Sequence, residues 1–180
     1  MDKIIYDGDT YYIKKGIVYD SMFLQVSSNL AKLILAKKYE DDDYKSLNEE
    51  QLLERVKDLK NAEIYEKCIK IIKFGLDKFI GRNSFYRTVF PILTSCYRFL
   101  KQPQKAVDFW IENRYVNRDC ISPAFLTSVA GAYCDVDDYE TALNIADTAF
   151  AMQGGATGGY NELSNVYARI KKAMGNNYPK

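Results

Sequence analysis

Four residues of this chain return at a fixed distance. Leu126, Val129, Ala130 and Tyr133 recur as Tyr160, Leu163, Ser164 and Tyr167, each 34 residues further on. A period of that length means stacked units, each too small to bury its own apolar face and dependent on its neighbours for a core. The apolar positions inside the unit fall three and four apart, which makes the units helical. An earlier copy reads Phe90, Leu93, Thr94 and Tyr97, with Ala106 nine residues later and Trp110 four beyond that. In the clearest copy Ala142 follows Tyr133 by nine and Ala149 comes seven later, while a fainter copy runs Leu52, Val56, Leu59, Cys68 and Ile72. Small side chains at Ala106, Ala130, Ala142 and Ser164 let helices approach, and Tyr97, Tyr133 and Trp110 fill the space between them.

That order resembles the tetratricopeptide repeat family: large, large, small and aromatic on a first helix, then small, large and small on a second. The resemblance covers roughly residues 47–174 and is strongest from 86 onward. It implies a mainly α fold, a right-handed superhelix of helical hairpins whose concave groove holds an extended or helical peptide. Carried over position by position, it places Lys57 and Lys60 of the first copy in that groove, Ser95 and Arg98 of the second, and Thr127 and Asp135 of the third. On the last helix it adds Asn161, Asn165 and Arg169. Those groups lean basic and amide-rich, which implies a protein or peptide partner carrying carboxylates. Their spacing differs from the family's clamp for C-terminal tails. The chain also departs from the pattern at Ala146, where the family favours a large residue and Phe150 stands nearby. Gly154–Gly159 takes the place of a helix-ending proline. The last helix has no partner helix and reads as a solvating cap, with Arg169, Lys171 and Lys172 on it.

Before the repeats lies a different grammar. Two aromatic and β-branched runs, Ile4-Ile5-Tyr6 and Thr10-Tyr11-Tyr12-Ile13, flank Asp7-Gly8-Asp9, a hairpin signal. Gly16 then precedes Ile17-Val18-Tyr19, so residues 1–26 read as a three-stranded meander that must pack on helices to be stable. Alternation leaves some of Tyr6, Tyr11, Tyr12 and Tyr19 outward, a second contact surface if exposed, although a plain core face is the simpler expectation. Residues 27–46 read as a short helix, capped by Ser27 or Ser28 and running to about Lys38, followed by a solvated acidic linker. Ser46-Leu47-Asn48-Glu49 reads as a capping box opening the repeat domain, 47–180. Helices are expected at 47–60, 63–80, 84–100, 103–115, 122–135, 138–152 and 159–174.

Composition narrows the chemistry. The chain has 180 residues, a formal net charge of +1 and no histidine. The commonest general base and metal ligand is therefore missing, and no Ser/His/Asp or Cys/His constellation can form, so a non-catalytic protein without cofactor or metal is expected. Cys68, Cys96, Cys120 and Cys134 lack the short spacings of zinc or redox motifs and read as buried thiols. Asp135, Asp137, Asp138 and Glu140 lack the glycine and distal glutamate of a calcium loop and suit a helix start. Gly154–Gly159 follows a helix rather than a strand, with no Gly-Lys-Ser/Thr after it, which favours a turn over a phosphate cradle. No leader or membrane-length apolar run is present, so a cytoplasmic location without membrane attachment is expected.

These readings converge on a protein–protein interaction scaffold. One alternative is RNA binding, since Tyr160-Asn161 and the stretch from Ala142 to Met152 also resemble pentatricopeptide repeats. About three units and near-zero net charge argue against nucleic acid. Another alternative is a homodimer through an unpaired apolar face at residues 160–170.

Overall fold

A computed structural model describes all residues except 15, 41, 42, 155–160 and 180. Among them the chain is mainly helical, with one small antiparallel sheet, and divides into two compact units, Met1–Ile80 and Gly81–Lys180. The first hairpin of the expected array therefore belongs with the sheet.

In the first unit β1 (Asp2–Tyr6), β2 (Asp9–Lys14) and β3 (Ile17–Tyr19) pair in the order β1-β2-β3. Asp7 and Gly8 both take positive φ, 51° and 87°, the type I′ turn that matches strand twist in a two-residue hairpin. Gly16, at φ 74°, is needed twice over, because a Cβ there would also press on the Asp58 carboxylate at 2.8 Å. Tyr11, Ile13 and Val18 share one sheet face and are buried on the side where α1 (Ser28–Lys38) packs. Ser27 caps α1 by accepting from the Leu30 N–H. Then α2 (Glu49–Asn61) and α3 (Tyr65–Lys78) form a hairpin over Leu52, Val56, Leu59, Cys68, Ile71 and Ile72. At the end of α1 the Tyr39 hydroxyl donates to Asp58 of α2 at 2.7 Å, a buried bond beside the Arg55 guanidinium.

The second unit contains α4 (Asn83–Phe99), α5 (Pro103–Asn113), α6 (Pro123–Asp135), α7 (Tyr139–Met152) and α8 (Asn161–Met174). Each helix packs on the next, and α4 with α6 and α6 with α8 also touch. As a result α6 is buried all round, without a break from Phe125 to Cys134. Phe90, Phe109 and Trp110 surround Phe125 with ring centroids 5.2, 6.2 and 5.6 Å away.

The three hairpins share one turn. Glu63, Lys101 and Asp137 sit at φ 60°, 59° and 62°, each two residues past a helix end. The next N–H in each turn, from Ile64, Gln102 or Asp138, donates back to Leu59, Tyr97 or Tyr133. This is the Schellman arrangement, and the residue that closes it is also the N-cap of the following helix. The acceptors Leu59, Tyr97 and Tyr133 are equivalent positions of the sequence repeat. Cys68, Ala106 and Ala142, nine residues beyond them, are each fully buried.

One boundary differs from expectation. The capping box is Asn48 with Gln51, whose side chains each accept from the other's backbone N–H at 3.0 and 3.1 Å. Ser46 instead lies in a 3-10 turn, its hydroxyl donating to the Asp43 carbonyl, so α2 starts at Glu49 rather than 47.

Candidate functional site

Three of the expected groove residues meet. Arg98, on the last turn of α4, donates through Nε to Asp135 Oδ2 at 2.7 Å. Arg169 of α8 donates through Nη2 to the other oxygen, Oδ1, at 2.6 Å. Asp135 ends α6, where a carboxylate faces the negative end of the helix dipole, so the two guanidiniums supply what the helix itself does not. The Asp135 side chain is 25% exposed, Arg98 24% and Arg169 42%, a cluster open to solvent on one side. Partial burial works against the Arg169 charge, but the hydrogen bond and charge of Asp135 outweigh it and hold its pKa above the ordinary value. Burial pushes the neighbouring Cys134 thiol up, against the pull of Arg169.

Of two residues that the sequence reading passed over, one shapes this cluster and the other lies beside it. Gly131 of α6 lies under the Arg98 guanidinium, and a Cβ there would collide with its terminal atoms. A glycine inside a helix was the available signal, since it costs stability and so needs a packing reason. Ser128, one turn earlier on α6, accepts from the Thr94 hydroxyl at 2.8 Å, and its own hydroxyl lies 3.1 Å from that of Ser95. Short hydroxyls thus line the seam between α4 and α6 beside the cluster.

The remaining expected residues fare differently. Thr127 is 3% exposed and its hydroxyl donates to the Pro123 carbonyl of its own helix, so it offers a ligand nothing. Asn165 is exposed on α8, one turn before Arg169, while the Asn161 side chain and the 155–160 stretch lie outside the described residues. Lys57 and Lys60 are on α2, in the other unit. Lys57 shares an open hollow with Glu49, Glu50, Glu54 and Asp58, which makes that helix face acidic rather than basic. The apolar face of α8 that a homodimer would need is already spent, because Leu163, Val166 and Ile170 are buried where α8 packs on α6 and α7.

All four cysteines are buried free thiols. Among the described residues no cluster of acids and cysteines could hold a metal ion, and no helix is long and apolar enough to cross a membrane. Comparison with protein-family models, with curated proteins and with solved structures gives no match.

Proposed function

We propose that the chain is a non-catalytic scaffold of tetratricopeptide-like hairpins that binds an acidic protein segment at the Arg98–Asp135–Arg169 cluster. One observation carries the reading: two guanidiniums from different helices share a single carboxylate. Each guanidinium has five N–H donors, and Asp135 takes one from each, so the cluster keeps a positive charge and donors in reserve. A second carboxylate, from a partner, completes a two-to-two arrangement without moving any helix. Charge-assisted bonds of that kind are directional, so they select carboxylates and set register, while apolar contacts nearby supply area. The equivalent turns of the three hairpins support the repeat reading behind this placement.

The test is an anisotropy titration of a labelled acidic nonapeptide pool with free C-termini, set against a lysine-rich pool. Wild type is expected to prefer the acidic pool, and the R98A/R169A double variant to lose at least tenfold in affinity while still unfolding cooperatively, its thermal midpoint lowered by no more than about 8 °C. Equal binding of both pools, or no effect of the double variant, would overturn the assignment.

A further inference from the structure

The sheet of the first unit is covered on one face only. Strand register puts Tyr11, Ile13 and Val18 on the face that meets α1, and Ile5, Tyr12, Ile17 and Tyr19 on the other. On that outer face Ile5 is 66% exposed and Ile17 39%. Charge is divided between the two faces as well. Of the charged strand residues, Asp2 and Asp9 fall on the inner side by the same register, whereas Lys3 and Lys14 stand on the outer one. Lys3 is opposite Tyr12, and Lys14 is opposite Ile17, so both lysines gather at one end of the outer face.

The loop that follows β3 extends this surface. Asp20 accepts from the N–H groups of both Met22 and Leu24 at 2.9 Å, its own N–H donates to the Leu24 carbonyl, and Tyr19 bridges to Gln25. The loop is therefore tightly tied, yet it presents Met22, Phe23 and Leu24 at 73%, 59% and 60% exposure. Phe23 has φ 60°, a conformation that glycine or asparagine adopts freely and a bulky residue enters only at a cost. Its ring lies over Tyr12, centroids 5.0 Å apart and planes 23° apart, so the strained residue carries an aromatic group down onto the sheet. Strain of this kind persists where the surrounding structure holds it, here the Asp20 hydrogen bonds and the stacking on Tyr12.

We infer that the outer sheet face, with the Met22–Leu24 loop, docks an amphipathic helix of a partner protein that carries carboxylates at one end. Size fits this occupant. Strands of five, six and three residues make a surface about 10 Å wide and about 17 Å long at β1 and β2, with the Met22–Leu24 loop extending the β3 side, the footprint of a helix of about 11 residues. The 11-residue helix α1 packs on the opposite face. Chemistry fits as well, because Lys3 and Lys14, the charged residues that the described strands place on this face, complement an acidic helix end, and acidic residues favour a helix N-terminus. Ile5, Ile17, Met22 and Leu24 are aliphatic, which favours apolar side chains over stacked bases. Phe23 lies flat on Tyr12 rather than projecting as a membrane wedge would. This surface is separate from the arginine cluster and stands or falls independently of it.

The test is a display library of 12-residue peptides panned against the full chain. Anisotropy then compares the selected peptides on wild type, F23N and K3E/K14E, with an RNA oligonucleotide and anionic vesicles as further probes. F23N relieves the backbone strain, so folding survives and only the surface changes. Selected peptides with apolar residues three and four apart and acidic ends, bound at least tenfold more weakly by both variants, are expected. Selection of basic peptides or of none, equal binding by the variants, or RNA or vesicle binding that depends on Phe23 would overturn the proposal.

Discussion

Gly131→Ala separates the arginine cluster from the fold that carries it. The new methyl group would meet the end of the Arg98 side chain, which can swing away without moving any backbone. Replacing an interior helical glycine by alanine gains about 1 kcal/mol. Against this stands the Arg98–Asp135 hydrogen bond. A charged pair of this geometry contributes roughly 1.5–3 kcal/mol when buried, and less with both partners about a quarter exposed, so about 1 kcal/mol is lost. The two effects nearly cancel, and the thermal midpoint of G131A is expected within about 4 °C of wild type. Binding does not cancel, because a displaced guanidinium no longer stands beside Arg169. A fall in affinity for the acidic pool of about tenfold, about 1.4 kcal/mol, is expected by anisotropy. Calorimetry and binding on the same protein decide the matter. Full affinity in a folded G131A would refute the claim that a placed Arg98 belongs to the site. A collapse in stability would show that the methyl meets more than one movable side chain.

The remaining predictions concern the fold. Lys101→Gly removes a left-handed lysine from the α4–α5 turn, so it should stabilise the protein by about 0.5–1 kcal/mol in urea unfolding; destabilisation would contradict the Schellman assignment. Phe125→Ala empties the centre of the aromatic cluster and should cost about 3–5 kcal/mol. A loss below about 1 kcal/mol would mean that the helices around it are not packed as described. Burial, then the hydrogen bond to Asp58, raises the Tyr39 pKa, and burial with the bond to Asp147 does the same for Tyr167. Unfolded phenols ionise near pH 10 while these two keep their protons, so stability is fully present below about pH 10 and falls above it. Urea midpoints measured from pH 8 to 11 should show that fall, reduced in Y167F; a flat profile would contradict the two tyrosine environments.

Much of the framework is legible in the residues themselves, and each exception has a local cause. The periodicity places the α-helices of the described residues, and Asp7-Gly8 announces its hairpin, because both signals are carried by residues close in sequence. The shared turn is hidden, since its left-handed positions hold Glu63, Lys101 and Asp137 where glycine would have marked them. Ser46 and Asn48 compete for one helix start, each with a capping-box partner three residues on, Glu49 or Gln51, so the residues alone do not decide that the Asn48–Gln51 box forms. Arg98, Asp135 and Arg169 follow from the repeat register, but their pairing depends on three helices meeting in space. Thr127, assigned to the groove by the same resemblance but at another position of the unit, is captured by a carbonyl of its own helix. The acidic surroundings of Lys57 could have been read, for Glu50 and Glu54 lie seven and three residues before it on one helix. Strand alternation exposes half of the tyrosine-rich segment, yet which half α1 covers is a matter of tertiary packing.

The most direct measurement is affinity capture from native cell extract, with wild type and R98A/R169A in parallel and each run with and without RNase. A protein held by wild type in both RNase arms, and released by a double variant that still unfolds cooperatively, is the predicted result. Equal retention by the variant, or retention that RNase abolishes, would contradict the account.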